Sequence, residues 1–223
     1  MACKNVSISH QTMQTLTVSN IHVFPIRSVG GFSPQSWEYT KQGFLFDRNW
    51  SIQKVKPKRC LGMQEMPKMA LIHATISNDL QTLTVQVQDK TFRFDTNIQD
   101  DDLGDEVAET ISTFLGTKVR LVKTPKDEVR SPYNGSFQRD ILKQMEDERN
   151  EDYKVEPFLF TCQASLDELN RRLDADAEMV RFRPNVVVNG TTKVFEEQEW
   201  TTISIQKNVF HSVGACIRCT MPM

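Results

Sequence analysis

The sequence lacks the features that mark a nucleic-acid-binding, membrane or secreted protein. Its 27 basic and 29 acidic residues leave a formal net charge of −2, so there is no basic surplus to bind a polyanion. No apolar run reaches the roughly 18–20 residues of a membrane span. Residues 1–14 are polar and do not resemble a signal peptide. We therefore expect an intracellular protein, cytoplasmic or mitochondrial, that binds no nucleic acid and has no integral membrane segment.

Cysteine is also scarce. Five cysteines at irregular spacing in 223 residues do not make a disulfide framework. A structural zinc site is not expected either, because Cys216 and Cys219 have no second cysteine pair or histidine pair near them. Hydrophobic residues, by contrast, make up 39% of the chain. That content lets one large domain or two small ones bury a core.

Apolar and polar residues alternate along much of the chain, which predicts β-strands. The clearest case is residues 83–94, where two alternating runs separated by Asp89 and Lys90 predict a hairpin. His22 and His73 fall in strand-like runs, and we expect both side chains to be packed rather than catalytic. The other strand-like runs are residues 16–24, 44–52, 69–76, 119–122, 158–160, 182–188 and 200–205.

Two segments predict helices. Residues 105–115 place apolar side chains on one face, carry acids in the first turn and end at Gly116. In residues 165–173, Ser165 followed by Glu168 predicts a capping box at the start of a helix with a leucine stripe. The charged residues between these helices predict a long loop or linker, within which residues 137–148 have helical spacing. The whole pattern indicates a mostly-β, barrel-like protein with a few helices.

Four arginines stand in otherwise apolar sequence, where a buried charge is costly unless something pairs with it. If they converge, their planar guanidinium groups make an anion pocket suited to a phosphate or an oxyanion. Ser28 and Asn185 would add neutral hydrogen-bonding groups to that pocket. The alternative is that each arginine is satisfied locally, as Arg48 could be by Asp47. The four are Arg27, Arg48, Arg183 and Arg218.

The Cys216-x-x-Cys219 pair follows a strand-like run and flanks Arg218. A thioredoxin-like dithiol opens a helix after a strand, and only four residues follow Cys219. A single thiolate that serves as ligand to a cofactor metal, with Arg218 stabilising its charged form, fits the pattern better. An inert pair of buried thiols is the alternative.

Taken in order, six segments resemble the MOSC family of molybdenum-cofactor-binding proteins. This family includes the mitochondrial amidoxime-reducing component and the C-terminal domain of molybdenum cofactor sulfurase. One motif alone is weak evidence, but six in the right order span most of the chain. They are VFPIRS (23–28, with Arg where the family motif has Lys), GFLFDRNW (43–50), GDEVA to FLG (104–116), ASL to LN (164–170), FRPN (182–185) and CIRC (216–219).

The resemblance implies a MOSC-type β-barrel with an N-terminal MOSC-associated β region. Residues 16–123 would form that N-terminal region, residues 124–154 a linker or long loop, and residues 155–223 the MOSC core. Family members continue for some tens of residues after the second cysteine. We therefore expect the core to be incomplete at its C-terminal end.

The resemblance also implies a site for a molybdenum-pterin cofactor. In the family the second cysteine of the C-x-R-C motif is the molybdenum ligand and catalytic residue, which here is Cys219, with Arg218 beside the metal. Other motif residues hold the pterin and its phosphate, and the bound cofactor would supply the counter-charge that arginines in apolar sequence require. Carried over to this chain, these are Arg27, Ser28, Arg48, Arg183 and Asn185.

The implied activity is the two-electron reduction of N-hydroxylated compounds such as amidoximes. Electrons would arrive from cytochrome b5 and NADH-cytochrome b5 reductase. The alternative is a non-catalytic cofactor carrier or sulfurase-like domain, or an inactive truncated form. The chain length favours the reductase, because pyridoxal phosphate binding in the sulfurases belongs to a large additional domain that this sequence does not contain.

Overall fold

The computed structural model describes residues 5–8, 16–40, 42–124, 157–191, 193–212 and 214–216. These residues form fourteen strands and two α-helices, which confirms the expected mostly-β fold with few helices. The helices are α1 (Asp105–Leu115) and α2 (Gln163–Asn170). The strands are β1 (Asn5–Ile8), β2 (Leu16–Ile21), β3 (Tyr39–Thr40), β4 (Gly43–Phe44), β5 (Trp50–Lys54), β6 (Arg59–Cys60), β7 (His73–Ile76), β8 (Thr82–Val87), β9 (Lys90–Asp95), β10 (Val119–Lys123), β11 (Phe160–Cys162), β12 (Val186–Asn189), β13 (Thr202–Ile205) and β14 (Asn208–His211).

The chain divides into two compact units. Unit I comprises Met1–His22, Gln35–Gly43 and Val129–Met223, and unit II comprises Val23–Pro34 and Phe44–Glu128. The predicted linker, with its helical spacing at 137–148, lies outside the described residues except at Thr124. None of the helices in the described ranges combines the length and the apolar character that crossing a bilayer requires.

Unit I is built on a six-stranded sheet in the order β11-β12-β2-β1-β13-β14. The pair β11–β12 is parallel and the other pairs are antiparallel. The Phe160 ring on one edge strand lies 5.4 Å from the Phe210 ring on the other edge strand. This short distance between the two edges shows that the sheet curls. No strand pairing closes the sheet among the described residues. The structure of this part of the chain is therefore a curled sheet rather than a closed barrel.

Helix α2 packs against β11 and β12, and its start differs from the sequence prediction. The N-cap is Cys162, which makes no side-chain capping bond, and Ser165 is the third residue of the helix. The Ser165 hydroxyl donates to Glu197 Oε2 at 2.8 Å and accepts the Phe195 N–H at 2.9 Å. Glu168 pairs with Arg171 and Arg172, the two residues that follow the end of the helix. The predicted capping box is therefore wrong, because the Ser165 hydroxyl bonds to residues 195 and 197 instead of to its own helix turn.

Unit II contains two three-stranded antiparallel sheets, β10-β5-β6 and β7-β8-β9. The predicted hairpin is confirmed as β8 and β9, with Leu83, Val85 and Val87 buried on one face as a period of two requires. Helix α1 packs on β10 and β8. It ends at Gly116, whose φ of 72° is the left-handed conformation of a glycine C-cap. The predicted bounds of this helix are confirmed.

The run 69–76 is not one strand. Pro67–Leu71 is a 3₁₀ helix that begins at the proline, and only His73–Ile76 forms a strand. His22 is 8% exposed, as expected of a packed side chain, whereas His73 is exposed and that expectation was wrong.

Gly31 is the tightest glycine position in unit II. A Cβ at this position would lie 2.2 Å from Val23 O and 2.7 Å from Phe24 Cδ1. Since one of these contacts is with backbone, we expect Gly31→Ala to lower the free energy of unfolding by about 3 kcal/mol. Urea denaturation measures the change. The matched control is Gly62→Ala, where a Cβ meets nothing within 4 Å and we expect no loss. Equal effects of the two substitutions would contradict the steric argument.

Candidate functional site

The segment that carries Arg27 and Ser28 lies in unit II and is fixed by backbone pairing to the start of β5. Ile26 forms a parallel bridge with Trp50, the Arg27 N–H donates to Trp50 O at 2.8 Å, and the Trp50 N–H donates to Pro25 O at 3.1 Å. The Ile26 and Trp50 side chains are buried in the core of the unit. Arg27 and Ser28 follow directly and are half-buried, so these two side chains lie at the edge of the core.

Arg48 is brought to the same segment by a turn between residues 44 and 50. The Arg48 N–H donates to Phe24 O at 2.8 Å, and the Arg48 carbonyl accepts the Thr124 hydroxyl at 2.9 Å. The structure thus places the backbone of three predicted ligands, Arg27, Ser28 and Arg48, on two segments that hydrogen-bond to each other.

The side chain of Arg48 has a local counter-charge. Its guanidinium pairs with the carboxylate of Asp47 and lies over the Phe24 ring, with Cζ 5.3 Å from the ring centroid. The side chain of Asp47 is only 3% exposed, and that of Arg48 is 17% exposed. Of the two possibilities that the sequence left open for Arg48, local pairing is the one observed.

Arg183 and Asn185 lie in unit I. Arg183 follows the 3₁₀ helix Met179–Phe182, and its N–H donates to Val180 O at 3.0 Å. Asn185 is 1% exposed. Its amide accepts the Leu159 N–H at 3.2 Å and donates to His22 O at 3.3 Å. These bonds give Asn185 a structural role between two strands, and its predicted contact with a pterin stays a prediction.

Three of the predicted ligands have backbone in the left-handed region that non-glycine residues rarely adopt. The φ angles are 62° at Ser28, 58° at Arg48 and 53° at Arg183. Five other non-glycine residues in the described ranges share this conformation, and one of them, Phe46, lies in the same turn as Arg48. Positive φ in such residues is uncommon and costs about 1 kcal/mol or more, and it concentrates at functional sites. The conformation is therefore not specific to the three predicted ligands, and their assignment to a binding site stays a prediction.

The two residues predicted beside the metal, Arg218 and Cys219, lie outside the described residues. Cys216 is described and its side chain is half-exposed. Within the described ranges no group of three or more histidine, cysteine, aspartate or glutamate side chains could hold a metal ion.

Two residues near the candidate site were not singled out from the sequence. Asp47 was considered only as a neutralising neighbour of Arg48. Trp50 is 2% exposed, and its indole N–H has no acceptor among the described residues. A buried indole N–H without an acceptor is unusual in a folded protein. The Phe46 ring is stacked on the Trp50 ring with the two centroids 5.8 Å apart, and nothing in the sequence indicated that the indole N–H would lack an acceptor.

His22 connects the sheet of unit I to Asn185, and burial lowers the pKa of its imidazole below the ordinary 6.5. The unfolded chain therefore takes up a proton below about pH 6.5 before the folded protein does. We expect stability to fall as the pH drops from 6.5 through the lower folded pKa. The same fall should be smaller in His22→Gln. Urea midpoints at pH 7.5 and 5.5 test this, and identical slopes for both proteins would contradict it.

The fold defines a mostly-β protein, and two arginines and a serine lie on two segments of unit II whose backbones hydrogen-bond to each other. Comparison with known proteins assigns the chain to a family. Residues 15–118 match the MOSC N-terminal beta barrel domain, and residues 147–223 match the MOSC domain. The chain therefore belongs to the MOSC-domain family.

Its relatives include proteins of two kinds. The chain is 30% identical over 233 residues to mitochondrial amidoxime reducing component 2 of Bos taurus, covering 93% of this chain and 66% of that protein. It is 27% identical over 227 residues to mitochondrial amidoxime-reducing component 1 of Mus musculus, covering 93% and 65%. It is 26% identical over 237 residues to human molybdenum cofactor sulfurase, covering 92% and 26%. The chain thus spans about two thirds of the first two relatives and a quarter of the third.

Proposed function

We propose that this protein binds a molybdenum-pterin cofactor and reduces N-hydroxylated compounds such as amidoximes. The observation that carries the proposal is the backbone pairing, within unit II, of the segment bearing Arg27 and Ser28 with the turn bearing Arg48. Two guanidinium groups and a hydroxyl are a donor set that suits a phosphate. The amidoxime reducing components among the relatives favour a reductase.

In this proposal Arg27, Ser28 and Arg48 bind the phosphate end of the pterin. Cys219 would be the molybdenum ligand and Arg218 the charge beside it, while Arg183 and Asn185 would make further pterin contacts. The bound cofactor would supply two-electron reduction of an N–O bond. The residues of the chain would fix its orientation and neutralise its charge. Cytochrome b5 and its NADH-dependent reductase would deliver the electrons.

A second candidate is a non-catalytic cofactor carrier or sulfurase-like domain. The similarity to molybdenum cofactor sulfurase favours it, because that match covers 92% of this chain. Both candidates predict cofactor binding, and only the first predicts turnover of an amidoxime.

The experiment is to purify the 223-residue protein from a host that makes the cofactor and to measure molybdenum and pterin per chain. Reduction of an aromatic amidoxime with cytochrome b5, its reductase and NADH is then assayed. About one molybdenum per chain with turnover supports the reductase. Full cofactor content without turnover supports the carrier. Soluble protein without molybdenum or pterin would contradict both.

A further inference from the structure

We propose that Asp47 is a positioning residue for the phosphate-binding groups of unit II. Its carboxylate fixes the Arg48 guanidinium and ties it to the backbone that carries Arg27 and Ser28. The inference rests on the proposed function, because it concerns the phosphate end of the same ligand.

The two carboxylate oxygens of Asp47 have different partners. Oδ1 accepts the backbone N–H of Phe24 at 2.8 Å, and Oδ2 pairs with the Arg48 guanidinium. A carboxylate that is 3% exposed is costly to bury unless it has such partners. Since Phe24 lies three residues before Arg27, one side chain connects the two segments that carry the predicted ligands.

Arg48 is held on several sides in consequence. Its guanidinium pairs with Asp47 at one edge and lies over the Phe24 ring on one face. Its backbone N–H donates to Phe24 O, and its carbonyl accepts the Thr124 hydroxyl. A long side chain with several rotatable bonds is thereby fixed before a ligand arrives, and a fixed donor binds an anion more tightly than a mobile one.

A simple counter-ion role for Asp47 makes the opposite prediction. If the carboxylate only neutralised Arg48, its removal would release positive charge and strengthen anion binding. If it positions Arg48, its removal weakens anion binding although the net charge becomes more positive. The sign of the change therefore separates the two roles.

Asp47→Asn is the informative substitution. The asparagine oxygen can still accept the Phe24 N–H, but its NH₂ group then faces the guanidinium and donor meets donor. The matched control is Asp102→Asn. Asp102 also pairs with an arginine of unit II, Arg120, with Nε–Oδ2 at 2.6 Å, but it pairs with no predicted ligand.

The experiment measures two quantities for wild type and both variants. The first is the rate at which pterin and molybdenum leave the loaded protein, and the second is the Kd of the cofactor-free protein for inorganic phosphate. We expect Asp47→Asn to accelerate loss and to raise the Kd about 10-fold each, as loss of an aligned charge-assisted bond does. Asp102→Asn should change neither. In an Arg48→Gln background Asp47→Asn should have no further effect, because Asp47 acts through Arg48.

Unchanged or tighter phosphate binding in Asp47→Asn would overturn the inference. The inference would also be overturned if Asp47→Asn raised the Kd for phosphate by the same factor in the Arg48→Gln background as in the wild type. Weaker phosphate binding in a protein that never acquires molybdenum or pterin supports the role of Asp47 while contradicting the proposed function. Should Asp47→Asn fold poorly by its urea midpoint, Arg48→Lys decides. Lysine keeps the positive charge but lacks the planar guanidinium group. If Asp47 positions that group, phosphate binding should weaken about 10-fold in Arg48→Lys. If only the charge matters, phosphate binding should not change.

Discussion

Replacing Cys219 with serine is expected to abolish bound molybdenum and amidoxime reduction. A thiolate is a soft ligand for a transition metal, and a serine hydroxyl is a hard one that stays protonated at neutral pH. Residues that merely support a metal ligand typically contribute 10–100-fold to affinity or activity, so loss of a ligand should cost at least about 100-fold. Metal analysis and steady-state turnover of the purified variant provide the measurement.

The chain supplies a matched control three residues earlier. Cys216 is half-exposed in the structure, and Cys216→Ser removes a thiol of the same motif without changing the predicted ligand. We expect this variant to keep molybdenum at the wild-type ratio. If Cys216→Ser loses the metal and Cys219→Ser keeps it, the ligand assignment within the motif is reversed. If both variants keep it, neither cysteine is the ligand.

Local patterns in the sequence predicted the elements whose hydrogen bonds are themselves local. The hairpin of β8 and β9 follows from strict alternation, and the end of α1 follows from Gly116. The start of α2 was wrong, because the Ser165 hydroxyl bonds to Glu197, 32 positions away. A capping box read from spacing assumes that the hydroxyl stays within its own turn, and spacing alone cannot reveal a competing partner.

The candidate site was predictable in its residue types and not in its geometry. Arg27 and Arg48 stood out because arginine in apolar sequence requires a partner. Their proximity depends on the bridge between Ile26 and Trp50 and on the bond from Arg48 N–H to Phe24 O, which no local pattern encodes. The connecting role of Asp47 was missed for the same reason. Its neighbour in sequence, Arg48, suggested a local pair, whereas its second partner lies 23 residues earlier.

The pairing of Asp47 with Arg48 leads to a large expected effect on stability. We expect Arg48→Met to lower the free energy of unfolding of the cofactor-free protein by about 3 kcal/mol. Methionine fills similar space but leaves the carboxylate of Asp47, 3% exposed, without its guanidinium. Breaking a buried ion pair from one side typically costs about 3–5 kcal/mol, because the remaining charge is desolvated. Because Asp47 still accepts the Phe24 N–H, we expect a loss of unfolding free energy at the low end of this range. Urea denaturation gives the value.

Two further variants separate this desolvation effect from a simple loss of contacts. Asp47→Asn combined with Arg48→Met removes both charges and should recover most of the lost stability, since a neutral amide is far less costly to bury. Arg120→Met removes the arginine from an ion pair in which the carboxylate of Asp102 is 38% exposed, and solvent screening should limit its cost to about 1 kcal/mol. Similar losses for Arg48→Met and Arg120→Met, or a double variant no more stable than Arg48→Met, would mean that burial of Asp47 does not set the effect. The expected order, with Arg48→Met the least stable of the three, would show that the fold itself depends on a cation at the position proposed to bind phosphate.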